Sequence, residues 1–573
     1  MKRLALAASA VAAACALTAS VAPSWSAAPA LAAPSFQPGR IVAMRRLTEA
    51  QYRNTIADVF GPDIVVSGRF EPIVRPQHRL IATGAAGATI SPAGLEQFDA
   101  IARGIASQVF DAKHRAAFLP CTPADPAKAD AKCAGQALGP IGRYLLRRPQ
   151  SPAERAATIA IAGAAADRAG SFTKGLELAL AAMLTSPEFL YVVESAVPDR
   201  SAPDASGSGA ETLDDWSRAA RLSFVLWNST PNDALLDAAA RGELSDPARL
   251  DAIARAMVAS PRFAAGVRAF FADMLLFEKF DELAKDPVVF PRFNPEVAKA
   301  LPEQMLRTIA DHLVTRQGDY RALFTTRHTF LTRALGTVYQ TPVLARTGWE
   351  PYDFPEGDAS ENGGRAGLLS QAGFLALYSH SGRSSPTLRG RAVRELLLCQ
   401  PVPNPPGNVN FTAVQDIDSK TMPTARHRLT AHNSDPVCAG CHAITDPIGL
   451  TLERFDGIGA WRPQENGAEI DVATRLEDSD VLGAAGLGRA LAANPATTEC
   501  LANRALEYVT GRSPEGSGSD ESETSSALHV AFAARDFRIA ELFVRLATSP
   551  AVWRVPNRPL GEAQHVALLE KAR

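Results

Sequence analysis

Apolar residues recur along most of this chain at the three- and four-residue spacing of amphipathic helices. Thr48-Glu49-Ala50-Gln51 has the form of a capping box. After it Tyr52, Ile56, Val59 and Phe60 fall on one helical face, and Gly61 supplies the stop. Ser151-Pro152-Ala153-Glu154 opens a second helix, with proline where its missing N–H costs nothing. Alanine-rich periodic stretches follow at 155–169 and 174–184, with similar ones at 214–227, 233–240, 247–259 and 298–315. Period-two alternation is scarce, and the only strands it predicts lie near 326–343. A short run recurs after amphipathic stretches: Thr185-Ser186-Pro187-Glu188-Phe189, Ala259-Ser260-Pro261-Arg262-Phe263 and Thr548-Ser549-Pro550-Ala551-Val552. It reads as a helix stop with immediate restart, and its unequal intervals exclude a solenoid. The predicted fold class is mainly α, with several helical subdomains.

Polar interruptions divide the pattern. Residues 197–213 are rich in Ser, Gly, Pro and Asp, and 514–526 form an acidic stretch expected to be a flexible loop. Residues 401–408 hold four prolines and read as a stiff extended connector. At 573 residues and 46% hydrophobic content the chain has material for three or four domains or subdomains. The expected divisions are 40–118, 119–196, 212–345, 360–470 and 480–560. Ahead of them, Lys2 and Arg3 precede an apolar run from Leu4 to about Val21, with small-residue sites at Ser26-Ala27-Ala28 and Ala30-Leu31-Ala32. Residues 1–32 are therefore read as a secretory signal peptide, and the mature protein as periplasmic or cell-surface. Cys15 lies within the apolar run, but Ala12-Ala13-Ala14 before it lack the leucine a lipoprotein signal favours. No later stretch reaches eighteen apolar residues without charge, so no membrane span is expected. Net charge is −2, and −4 once Lys2 and Arg3 leave with the signal. With no basic stripe, neither nucleic acid nor an anionic membrane surface is an expected partner.

The sharpest chemical signal is Cys438-Ala439-Gly440-Cys441-His442. Two thiols three residues apart, followed by histidine, form the attachment pattern for c-type haem. On a helical turn both sulfurs reach the two vinyl groups of one porphyrin edge, and the histidine meets the iron. One covalent haem c is the expected cofactor, with Cys438 and Cys441 as anchors and His442 as proximal ligand. Zinc is an alternative, with Cys399, Cys500 or a distant histidine completing the set, and so is a Cys438–Cys441 disulfide. A thioredoxin-like pair lacks its βαβ context. Cys121 and Cys133 bracket a Pro/Ala/Asp-rich loop and are expected to form a disulfide in an oxidising compartment. Cys399 and Cys500 remain, and spacing alone does not decide whether they pair.

Around the motif, a backbone carbonyl of a 446–449 loop is expected to accept the His442 Nδ1–H. Trp461 and Arg462 offer an indole donor and a guanidinium fork to haem propionates, against a packed aromatic beside a surface arginine. Glu453 and Asp456 are expected to cap or pair locally. The sixth ligand is open among His432, Met422, His380 and, more weakly, His427, with an empty site as the further alternative.

The run from Cys438 to His442 continues through Asp446-Pro447-Ile448-Gly449, Leu452-Glu453-Arg454-Phe455-Asp456 and Gly459-Ala460-Trp461-Arg462. Together these resemble the haem-type segment of the planctomycete cytochrome-like family, exported bacterial proteins built from consecutive domains of unknown function. Arg45 through Thr55, Arg143 through Pro149, Arg221 through Asn228, Arg365 through Leu369, Ser385 through Gly390 and Cys500 through Arg512 match in the same order. The resemblance covers roughly 43–555. Many relatives carry a further cytochrome c domain; this chain has one Cys-x-x-Cys-His.

Two functions follow as expectations. One is an extracytoplasmic monohaem c-type protein for electron transfer or substrate oxidation. Its large helical scaffold would serve a redox partner or a polymer or oligosaccharide substrate. The other is a haem-free secreted binding or scaffold protein whose Cys-x-x-Cys-His is held by zinc or a disulfide. No other nucleophile–base constellation or phosphate loop stands out.

Overall fold

The computed structural model describes residues 39–199, 210–356, 364–404, 420–433, 436–476, 479–512 and 519–555. The predicted signal peptide at 1–32, with Cys15, lies outside the described residues, as do 405–408 of the proline run and 556–560 at the end of the last predicted division.

Helices form where the apolar period places them. Thr48 caps Glu49–Phe60 by accepting the Gln51 N–H, while the Gln51 side chain accepts the Thr48 N–H, and Gly61 at φ 97° ends the helix. Ser151 and Glu154 repeat the device at Pro152–Ala169. The runs at 214–227, 233–240 and 247–259 become Asp215–Trp227, Asp233–Ala240 and Pro247–Ala259. The stretch at 298–315 becomes Pro295–Ala310 followed by a π turn at Asp311–Thr315.

Strands are more numerous than alternation predicts. His328–Leu331 falls in the expected stretch and pairs antiparallel with Glu350–Asp353. A three-stranded antiparallel sheet of Arg40–Arg46, Tyr191–Pro198 and Glu211–Leu213 was not expected. Its strands are buried on both faces in places, which removes the polar alternation that would have announced them. Its second and third strands also occupy both ends of the 197–213 linker. Three further residues illustrate a second correction: Ser525, Leu528 and Phe532 are buried at helical spacing and hold Ser519–Ala533 as a helix, where 514–526 reads as a loop.

Leu47, Tyr52, Phe98, Ile105, Leu138, Leu180 and Phe189 lie in one core, which runs from 47 to 224. A larger core draws Leu222, Phe270, Phe324, Phe374, Leu452, Leu501 and Phe543 together, so segments from 213 to 553 share one interior. Between core and sheet sits a buried ionic knot. Glu194 accepts from Arg45 at 2.9 Å and from Arg221 at 2.6 Å, and Arg221 also donates to the Val552 carbonyl. Burial opposes its ionisation, but Arg221 and Arg45 outweigh burial and hold the carboxyl down at about 2. The first strand, the 215–227 helix and the C-terminal end are thus tied at one point. Disulfides join Cys121 to Cys133, as expected, and Cys399 to Cys500.

Candidate functional site

The Cys-x-x-Cys-His run lies in the first two turns of the Pro436–Leu450 helix. This helix is pressed onto Pro386–Ala392 by two glycines. A Cβ on Gly449 would lie 2.6 Å from the Pro386 Cα and overlap its carbonyl, and one on Gly390 would overlap the Thr445 carbonyl. The near backbone contact fixes both helices as walls of a cavity of about 750 Å³, within the roughly 300–1,000 Å³ of cofactor-sized pockets. Cys441, His442 and Thr445 form one wall, Pro386–Leu388 and Arg391 a second. Arg428, Leu429 and His432 of the Ala425–His432 helix close a third side, and the His380–Ser385 loop a fourth.

His442 is held in a defined orientation. Its Nδ1 lies 2.9 Å from Asp446 Oδ2, and Asp446 is buried. The other carboxylate oxygen accepts from Thr387 Oγ1 at 2.8 Å and Thr445 Oγ1 at 3.3 Å. The acceptor is therefore the Asp446 side chain, one helical turn on, and not a backbone carbonyl; residues 446–449 continue the helix instead of looping. With Nδ1–H donated, Nε2 is the nitrogen left for a metal.

The His432 ring stands 4.9 Å from the His442 ring, centre to centre, with planes crossed at 76°. The two rings are in edge-to-face contact, and they would have to part by about 1 Å to hold one iron between them. His380 lines the same cavity, its basicity pushed down to about 4 by burial and by Arg383 and Lys285. Lys285 Nζ donates to the carbonyls of Ala376, Ser379 and His380, fixing that loop, and burial lowers it to about 7. Met422 and His427 do not line the cavity. The Met422 carbonyl accepts from Arg428, and His427 Nδ1 lies 2.7 Å from Thr424 Oγ1.

Cys441 is on the lining, and Cys438, one turn earlier, is buried beside it; the two stay as thiols and form no disulfide. Since Cys399 pairs with Cys500, neither is available to complete a zinc site. Among the described residues no group of three His, Cys, Asp or Glu side chains converges to hold a metal ion. A single proximal histidine with two thiols, a carboxylate behind it and a facing imidazole is a donor set that fits haem.

Trp461 and Arg462 are not on the lining. Arg462 Nη2 donates to Ser384 Oγ at 2.8 Å and Glu453 Oε2 at 3.1 Å, and Trp461 packs against the main core. Glu453 is buried with Arg389 at 3.2 Å, and burial, against Arg389 and Arg462, raises its pKa. Asp456 accepts the Ile458 and Ala460 N–H groups. The pair thus clamps the 453–462 turn. The cavity's cations are Arg383, Arg391 and Arg428. Arg391 pairs with Glu395 and Arg428 with Glu465, which leaves the Arg383 guanidinium without an acidic partner among the described residues. Sequence reasoning missed Asp446 as a side chain, although its i+4 spacing from His442 marks it. It missed Arg383 while naming its neighbour His380.

Four family models match the chain. PSCyt3, described as a protein of unknown function (DUF1588), covers 365–465 and so the whole motif helix. PSD4 (DUF1592), PSD5 (DUF1595) and PSD3 (DUF1587), all described in the same words, cover 213–341, 133–194 and 45–111. No curated protein and no solved structure matches. Among the described residues no helix is long and apolar enough to cross a membrane, and the two disulfides are consistent with an extracytoplasmic setting. Matched over more than half its length and in the order its motifs predict, the chain belongs to the planctomycete cytochrome-like family, whose domains are of unknown function.

Proposed function

We propose that the protein is an extracytoplasmic monohaem c-type cytochrome. In this reading Cys438 and Cys441 would anchor the haem through thioethers, and His442 and His432 would hold its iron. The observation that carries it is the cavity of about 750 Å³ onto which Cys441, His442 and His432 all project. A bound haem supplies a one-electron iron couple. Asp446 orients His442 through Nδ1, and Arg383 takes the propionate role first expected of Arg462, because it lines the cavity without an acidic partner among the described residues. The helical scaffold from 45 to 341 then provides surface for a redox partner or a polymeric substrate.

The test is the mass and visible spectrum of mature protein secreted by a host that matures c-type cytochromes, beside a Cys441→Ala control. One covalent haem, lost in the control, is the expected result. A colourless protein from a host with proven haem maturation overturns the reading in favour of a haem-free scaffold.

A further inference from the structure

We infer that Asp446 is a positioning residue that makes His442 an electron-rich axial ligand and so holds this site at low potential; the inference rests on the haem reading above. Three observations carry it. First, the acceptor behind His442 is a carboxylate at 2.9 Å. A backbone carbonyl would orient the ring equally well but would bring no charge. Second, that carboxylate is buried, at 3% exposure, where a charge is weakly screened. Third, its remaining partners are neutral: Thr387 and Thr445 hydroxyls on Oδ1 and the Asn433 amide at 3.3 Å on Oδ2. Among the described residues no lysine or arginine pairs with Asp446, and its only ionic partner is His442 itself. Elsewhere in this protein buried carboxylates are matched by arginine, as Glu194 is by Arg45 and Arg221 and Glu453 by Arg389 and Arg462. At Asp446 the negative charge is directed at one imidazole.

A hydrogen bond to an anion draws the Nδ1 proton away from the ring and strengthens Nε2 as a donor. Ferric iron gains more from that than ferrous iron, which lowers the potential. Thr387 sets the strength of the effect, because its 2.8 Å hydrogen bond shares the carboxylate's charge.

Holoprotein potentials of wild type, Asp446→Asn and Thr387→Val test this, with haem content of each measured first by mass. The asparagine keeps an acceptor for Nδ1–H and removes the charge, and its reduction equilibrium is expected to shift at least tenfold toward ferrous, about 59 mV for one electron. Thr387→Val returns charge to the ring and moves the potential the opposite way. Two substitutions that merely loosen the fold do not give shifts of opposite sign. Loaded variants whose potentials equal the wild type within a factor of two overturn the inference and leave the haem reading standing. If Asp446→Asn is not secreted, an unchanged Thr387→Val potential is enough to overturn it. A wild-type chain without haem removes the reading and the inference together.

Discussion

Gly449→Ala probes the contact that sets the cavity's width. A Cβ there would lie 2.6 Å from the Pro386 Cα and overlap its carbonyl, against the 3.0 Å that real Cβ atoms keep. The obstructing atoms are backbone, so no side chain can rotate away. Relief requires the two helices to part by about 1 Å at this point, an overpacking cost of about 1–3 kcal/mol. The Thr387–Asp446 bond, now 2.8 Å, spans the same interface. Lengthened by about 1 Å it no longer qualifies as a hydrogen bond, which costs about 1 kcal/mol more. Alanine's better helix propensity returns about 1 kcal/mol, for a net loss of about 2 kcal/mol. Gly440→Ala is the matched control, because a Cβ there meets nothing within 4 Å on the same helix. Several cores in one chain make a single unfolding free energy ill-defined, so the assay is amide hydrogen exchange along 438–450. Protection should fall about thirtyfold in Gly449→Ala and hold or rise in Gly440→Ala. Equal protection in the two variants would refute the claim that backbone contact fixes this wall.

In the haem-loaded protein, His432→Ala should convert a low-spin visible spectrum to a high-spin one, and an unchanged spectrum would reassign the sixth ligand. Glu194→Gln leaves Arg45 and Arg221 buried without a counter-charge and should cost about 3–5 kcal/mol, read as lost amide-exchange protection along 191–198. Because the Glu194 carboxyl is held at about 2 against an ordinary 4.5, its contribution is complete above pH 4.5 and is lost as pH falls toward 2. The variant's stability should therefore be flatter across that window, and a parallel acid limb would refute the assignment. Removing Cys399–Cys500, whose cysteines are 101 residues apart, should lower the melting temperature more than removing Cys121–Cys133, 12 apart. Paired melts of the Cys399→Ser and Cys121→Ser proteins in oxidising buffer check the order.

Helices were legible because their signals are local. The Thr48 and Ser151 caps and the period of Tyr52, Ile56 and Val59 lie within a few residues of the structure they specify. The 40–46, 191–198 and 211–213 sheet was not, since its first pairing joins residues about 150 positions apart and burial of its second strand erases alternation. The same division holds at the site. Cys438, Cys441 and His442 announce themselves by spacing. His432 lines the cavity, but Met422, ten residues earlier, does not. Trp461 and Arg462 looked accessible from sequence because nothing local shows that Glu453 and Ser384 engage Arg462. Arg383 becomes visible as a cation without an acidic partner among the described residues only once its neighbours' partners are traced in three dimensions.

The Cys399–Cys500 bridge encloses the two reduced cysteines of the motif within its own loop. Four cysteines allow three complete pairings, and in an oxidising compartment the nearest partners in sequence, Cys438 and Cys441, meet most often. Closure of that short ring would consume both thiols before any attachment chemistry reached them. Assembly therefore has a preferred timetable: the long bridge forms, or the motif is modified, before the short ring can close. On the haem reading, biogenesis of this chain would be a race among sulfurs, and a host's thiol-reducing capacity outside the cytoplasm would govern the yield as directly as its haem supply.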